Sequence, residues 1–166
     1  MYLCRKIVIM IQRIQSLYLF LASLMMSMLF LFPIADFWGD ISYQFSAFSF
    51  GDISADPTSP FSTGFTTPTG VFVILLVILP LLSILMFKAR RKQLVLVRVI
   101  LALLIAFLIL VFFYYIPTIE KEIALQADYV SAKGMFFPIA AIVFLVLAQR
   151  GILKDEKLIR SMDRIR

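Results

Sequence analysis

VFVILLVILPLLSILMFKARRKQLVLVRVILALLIAFLILVFFYYI, residues 71 to 116, places two uncharged apolar runs on either side of a basic connection. A bilayer core about 30 Å thick is crossed by roughly 20 apolar residues in a helix, which satisfies its own backbone N–H and C=O groups. Runs 71–87 and 99–116 fit that requirement. The first is short, so it is expected to borrow a turn from its flank or to be matched by a snorkelling Lys88. Between them lie Lys88, Arg90, Arg91, Lys92 and Arg98, the mark of a membrane hairpin whose turn faces the cytoplasm.

Two further uncharged runs flank this hairpin, SLYLFLASLMMSMLFLFPIA at 16–35 and GMFFPIAAIVFLVLAQ at 134–149, the latter short enough to call on Arg150 for a similar match. Four spans put alternate connections on opposite sides. Arg5, Lys6 and Arg13, the five cations of the turn, and Arg150, Lys154, Lys157, Arg160, Arg164 and Arg166 fall together, which is fourteen of the sixteen basic residues. The other side carries Lys121 and Lys133 with Asp36, Asp40, Asp52, Asp56, Glu120, Glu122 and Asp128. This asymmetry predicts an inner-membrane protein with both termini in the cytoplasm. Phe30, Phe32, Phe37 and Trp38, then Phe112, Phe113, Tyr114 and Tyr115, then Phe136 and Phe137, all fall at the outer interface, where an aromatic belt belongs.

Composition agrees with the spans. The chain of 166 residues is 62% hydrophobic with 17 phenylalanines and a mean hydropathy of +0.99, which is the membrane class. The net charge of +6 is therefore read as topology and not as a nucleic-acid surface. With Cys4 alone and no histidine, an internal disulfide cannot form, and a metal or haem site has almost no ligands to draw on. No cofactor is expected. Cys4, beside Arg5 and Lys6, reads either as a palmitoylation site or, in preference, as a small unreactive thiol.

The first run competes with a cleaved signal peptide, but it is long for one. Its nearest small-residue site, Pro33-Ile34-Ala35, puts proline where a small residue is wanted. In the outer connection 36–70, ISYQF alternates as a half-buried strand does and FSFGD resembles a second short strand ending at Gly51, so a small outer β-hairpin is expected. Tyr43, Phe45, Phe48 and Phe50 would cap the helices or, less favoured, form a ligand surface. The outer connection 117–133 opens with Pro117 followed by Glu120 and Glu122. It reads as a short interfacial helix or an extension of the fourth span, with Gly134 able to end it. Within the spans, Ser23/Ser27 and Ala102/Ala106 have small-xxx-small spacing, which allows close helix approach. Kinks are expected at Pro80 and Pro138.

The spans hold no ionisable residue, whereas intramembrane chemistry and proton transport ordinarily use one. Ser23, Ser27 and Ser83 have no evident base, Asp36 is alone at an interface, and neither a phosphate loop nor an internal repeat is present. No catalytic residue is assigned, and the protein is not expected to be an enzyme.

The tail, 151–166, is amphipathic when drawn as a helix. Ile152, Leu158, Ile159, Met162 and Ile165 share an arc, with Glu156, Lys157, Arg160, Asp163 and Arg164 largely opposite. Arg160 can pair with Glu156 or Asp163 one turn away. Its basic excess suits anionic headgroups, while Asp155, Glu156 and Asp163 would be repelled by them and suit a protein contact. Both readings stand.

MIQRIQSLYLF at 10–20, FKARRKQ at 87–93 and ILKDEKLIRSMDRIR at 152–166 together resemble a family of small four-span inner-membrane proteins of Bacteroidota, classed as a domain of unknown function. The resemblance implies a start at Met10, making residues 1–9 an upstream extension, and brings no activity with it. Its recurrent polar residues correspond to Gln12, Arg13 and Gln15, to Arg91 and Gln93, and to Asp155, Glu156, Lys157, Arg160, Ser161, Asp163, Arg164 and Arg166. The charge pattern independently puts all of them on the cytoplasmic side.

The expected architecture is thus an all-α membrane protein: a four-helix transmembrane bundle over 10–150 and a cytoplasmic amphipathic tail over 151–166. The expected role is a non-enzymatic accessory or scaffolding subunit that docks a protein partner on its cytoplasmic face, the alternative being a small-molecule transporter or channel component.

Overall fold

In the computed structural model, residues 2–39, 42–52, 63–86, 89–123 and 127–163 are described, the stretches 2–13 and 157–163 as helical backbone only. Four long helices follow from the apolar runs. Helix α1 spans Tyr2–Ser27 and tightens into a 3-10 turn, Met28–Phe30; α2 spans Thr63–Leu85, and α3 Arg90–Leu110. A short α4, Ile116–Ile123, continues α3 through a π-helical turn at Val111–Tyr115. The last helix, α5, spans Phe136–Asp163 behind a 3-10 turn at Lys133–Met135.

α1 packs on α5 and α2, and α3 packs on α5 and α2, so the four long helices close a ring. Leu19, Ala22, Met26, Val73, Leu76, Val97, Ile100, Leu104, Phe107, Ala141, Leu145 and Ala148 fill its centre. Three helical stretches are long and apolar enough to cross a membrane: Gly64–Leu85, Arg90–Ile123 and Lys133–Glu156. The apolar run Ile14–Phe30 of α1 is shorter.

The sheet is larger than the expected hairpin. Strands β1 (Ala35–Gly39), β2 (Tyr43–Phe45), β3 (Phe50–Asp52) and β4 (Ala127–Ser131) form one antiparallel sheet in the order β3-β2-β1-β4. The β2–β3 pair is the hairpin read from ISYQF and FSFGD, with Phe45 opposite Phe50. β1 pairs with β4 from Ala35↔Ser131 to Gly39↔Ala127, stitching the segment after α1 to the one before α5. The inner rings pack as a capping layer: Tyr43 stacks on Phe50 at 5.6 Å and Phe45 on Tyr115 at 5.3 Å. Phe48 remains exposed and stacks on Phe30. Three of the four rings are therefore core, as the capping reading requires.

The connection 117–133 holds the expected short helix, α4, but this helix continues α3 and does not start anew at Pro117. Proline has no N–H for the Phe113 carbonyl and would clash with it, and the π turn, in which the Ile116 N–H bonds the Val111 carbonyl, loosens the helix one residue earlier. The turn brings Tyr115 and Ile116 into the core, where Ile119 and Ile123 follow, while Phe112, Phe113 and Tyr114 stay exposed. Tyr115 donates its hydroxyl to the Phe65 carbonyl at 3.1 Å. Of the ten rings assigned to a belt, Phe37 and Tyr115 are thus core residues, and Phe137 is half-buried against Phe32.

Gly134 does not end a helix. It sits in the entry to α5, its N–H donates to the Pro33 carbonyl at 3.1 Å, and a Cβ there would lie 2.0 Å from that oxygen. Pro138 is the third residue of α5, in the turn whose N–H groups have no intrahelical acceptor, so no kink follows from it. α2 continues through Pro80. Of the small-residue pairs, Ser23 is buried and donates to the Val77 carbonyl of α2 at 2.8 Å, whereas Ser27 bonds Leu24 of its own helix. Ala102 and Ala106 are both exposed.

Candidate functional site

The helix ends remote from the sheet gather the polar residues. Gln15 comes from the second half of α1, Arg90, Arg91 and Gln93 from the first turn of α3, and Asp155 and Glu156 from the last part of α5. Gln15 Nε2 donates to Asp155 Oδ2 at 2.6 Å, with the two residues 6% and 4% exposed. Arg90 Nη1 stands 3.7 Å from the same carboxylate oxygen, an ion pair rather than a hydrogen bond, on a mostly buried side chain. Beside them, Arg91 Nε is 3.5 Å from Glu156 Oε1, with the arginine 80% exposed.

This geometry has an electrostatic cause. A helix N-terminus carries partial positive charge and unpaired N–H groups, and acidic residues in the first turn usually answer it. α3 instead begins on Ala89, without a side-chain cap, and continues Arg90-Arg91-Lys92 with no acid in its first turn. Asp155 and Glu156 bring the missing negative charge across from α5. The same carboxylates therefore neutralise the cations and the helix end together.

The close crossing of α1 and α5 depends on Gly151. A Cβ there would approach Gln15 Cγ to 2.9 Å. Gly151 and the buried Ile152 sit one turn before Asp155, so the first residues of the tail segment are packed into the fold. α5 runs unbroken past residue 150 to Asp163. At 1.5 Å per residue its 28 residues measure roughly 42 Å, about 12 Å more than a bilayer core.

Of the thirteen residues singled out by resemblance, the structure brings together Gln15, Arg91, Gln93, Asp155 and Glu156. Gln15, Gln93 and Asp155 are buried, and Gln15 and Asp155 join α1 to α5. Arg91 and Glu156 form the accessible rim. Gln12, Arg13, Lys157, Arg160, Ser161 and Asp163 lie on the same two helices, with side chains outside the described set; Arg164 and Arg166 lie outside it altogether. Arg90 was not singled out. Its signal was its place at the start of a helix that offers no acid of its own.

No curated protein matches the chain. The family model described as a domain of unknown function, DUF4293, matches residues 11–165, from the second residue of MIQRIQ almost to the end of the tail, and the chain belongs to that family.

Proposed function

We propose that this protein is a four-span inner-membrane protein with both termini in the cytoplasm, serving as a non-enzymatic accessory or scaffolding subunit that docks a protein partner on its cytoplasmic face. The observation that carries this reading is the continuity of α5. A helix that crosses the membrane and continues some 12 Å past the core presents its end outward, whereas a tail lying along headgroups would need a break after residue 150. Gln15, Asp155 and Arg90 fix the base of that projection against α1 and α3. Mixed charge on the last residues of α5, Lys157, Arg160 and Asp163, suits directional contacts with a protein.

Three apolar helices and the charge asymmetry of the connections support the membrane placement. α1 is read as a retained fourth span, because its buried face holds Gln15, Leu19, Ala22 and Met26 against the other helices, and Ala35, at the signal-like site, begins β1. Purification of the full chain in mild detergent, with identification of co-purifying proteins, tests the proposal. Stoichiometric recovery of a larger membrane complex is expected. Solute flux through liposomes holding only this chain would favour the transporter reading instead.

A further inference from the structure

An open, apolar groove of ≈ 430 Å³ runs along the first turns of α3 beside the end of α2, lined by Met86, Arg91, Lys92, Val95, Leu96 and Val99. Val95 and Val99 are exposed although strongly apolar. Lys92 is exposed, and Arg98, seven residues after Arg91 and so on the same face of α3, is exposed as well. Glu156 is the carboxylate ion-paired to Arg91 here, and the arginine side chain remains 80% exposed.

We propose that this groove is a binding site for one anionic phospholipid of the cytoplasmic leaflet, its acyl chain on Val95, Leu96 and Val99 and its phosphate on Arg91 and Lys92. The inference rests on reading these helices as membrane spans and goes beyond it by naming a ligand and a site. An open apolar groove with two exposed cations, Arg91 and Lys92, among its lining residues matches an amphiphile with a negative head. Arg98, with its long stem, can lift its charge toward the same headgroup layer. A second copy of the chain is a poor occupant, because a two-fold contact through this face would bring Arg91, Lys92 and Arg98 against their own counterparts.

The test is native mass spectrometry of the full chain in mild detergent, titrated separately with phosphatidylglycerol and phosphatidylcholine of the same acyl composition. One phosphatidylglycerol per chain should be retained about tenfold more tightly than phosphatidylcholine, and Lys92→Gln should lower that preference about fivefold. Val99→Trp, which fills the groove at an already exposed position, should remove the bound lipid while leaving the protein folded. Val95→Phe is the second variant for the same purpose. Glycerol phosphate, the headgroup without its chains, should not compete at concentrations where the lipid saturates. Equal retention of the two lipids, a preference unchanged in Lys92→Gln, lipid retained by both groove-filling variants, competition by glycerol phosphate, or a dimer mass that excludes lipid would each overturn the site. Failure of the membrane reading itself would show differently, as release of the chain from membranes by alkaline carbonate without detergent.

Discussion

Gln15 of α1 and Asp155 of α5, separated by 140 positions in the chain, meet in a buried hydrogen bond of 2.6 Å. Asp155 also faces Arg90 of α3, so one carboxylate ties three helices together. A buried donor left without its acceptor costs about 1–3 kcal/mol, and removing a buried charge's partner costs more than a neutral substitution of both.

That pairing yields the first prediction. Asp155→Ala should destabilise the protein by about 2–3 kcal/mol, since it strands both the Gln15 amide and the Arg90 guanidinium. Gln15→Leu should cost less, because Arg90 still balances the carboxylate. In a double-mutant cycle on thermal unfolding in detergent, the two changes should be clearly non-additive. Additive losses would mean that the bond adds nothing to stability.

A second prediction concerns the entry to α5. Gly134→Ala places a Cβ 2.0 Å from the Pro33 backbone oxygen, and a carbonyl engaged by the Gly134 N–H cannot swing aside cheaply. The expected loss is about 3 kcal/mol, at the upper end for overpacking. Gly51→Ala is the control: nothing lies within 4 Å of its added Cβ, so the melting temperature should barely move. Similar behaviour of the two variants would refute the close approach.

Topology gives a third. Reporter fusions after Lys92 and after Arg166 should be cytoplasmic and a fusion at Ser62 external, because the cations collect at the helix ends remote from the sheet. A cytoplasmic signal at Ser62 would sink the four-span reading.

The helices were legible because span length and lack of charge are local properties of the chain, and the β2–β3 hairpin because ISYQF alternates within five residues. The β1–β4 pairing was not. ADFWG reads as the aromatic end of a span and ADYVS as part of a polar connection, and only their meeting, some 90 positions apart, makes a strand of either. The π turn was hidden for a similar reason: Pro117 with two following glutamates looks like a helix start unless Tyr115 is known to be anchored to Phe65 and Phe45. Asp155 sits in the run KDEK, where every neighbour suggests a solvated face. Its burial follows from Gly151, which lets α1 come close, and no periodicity announces a contact made by a distant glutamine.

The fourth prediction separates a protein partner from a lipid surface at the end of α5. If the projecting helix docks a protein, Arg160→Glu should abolish co-purification of that partner while leaving insertion intact, because the fastening contacts of Gln15, Arg90 and Asp155 lie at least one turn earlier. Arg160→Lys should also weaken recovery, since an ammonium keeps the charge but loses the planar two-pronged geometry with which guanidinium grips a carboxylate. A headgroup layer responds mainly to net charge, so on an anionic membrane Arg160→Lys would be nearly silent. Removing acids gives the opposite handle. Asp163→Asn should strengthen attachment to anionic vesicles if lipid is the target and weaken partner recovery if a protein is. Asp163 serves better here than Glu156, whose carboxylate already holds Arg91 at 3.5 Å and whose loss would loosen α3 as well. A Lys variant indistinguishable from the parent, together with full partner recovery by Asp163→Asn, would leave the docking proposal without support, because neither geometry nor sign of charge at the helix end would then matter to the complex.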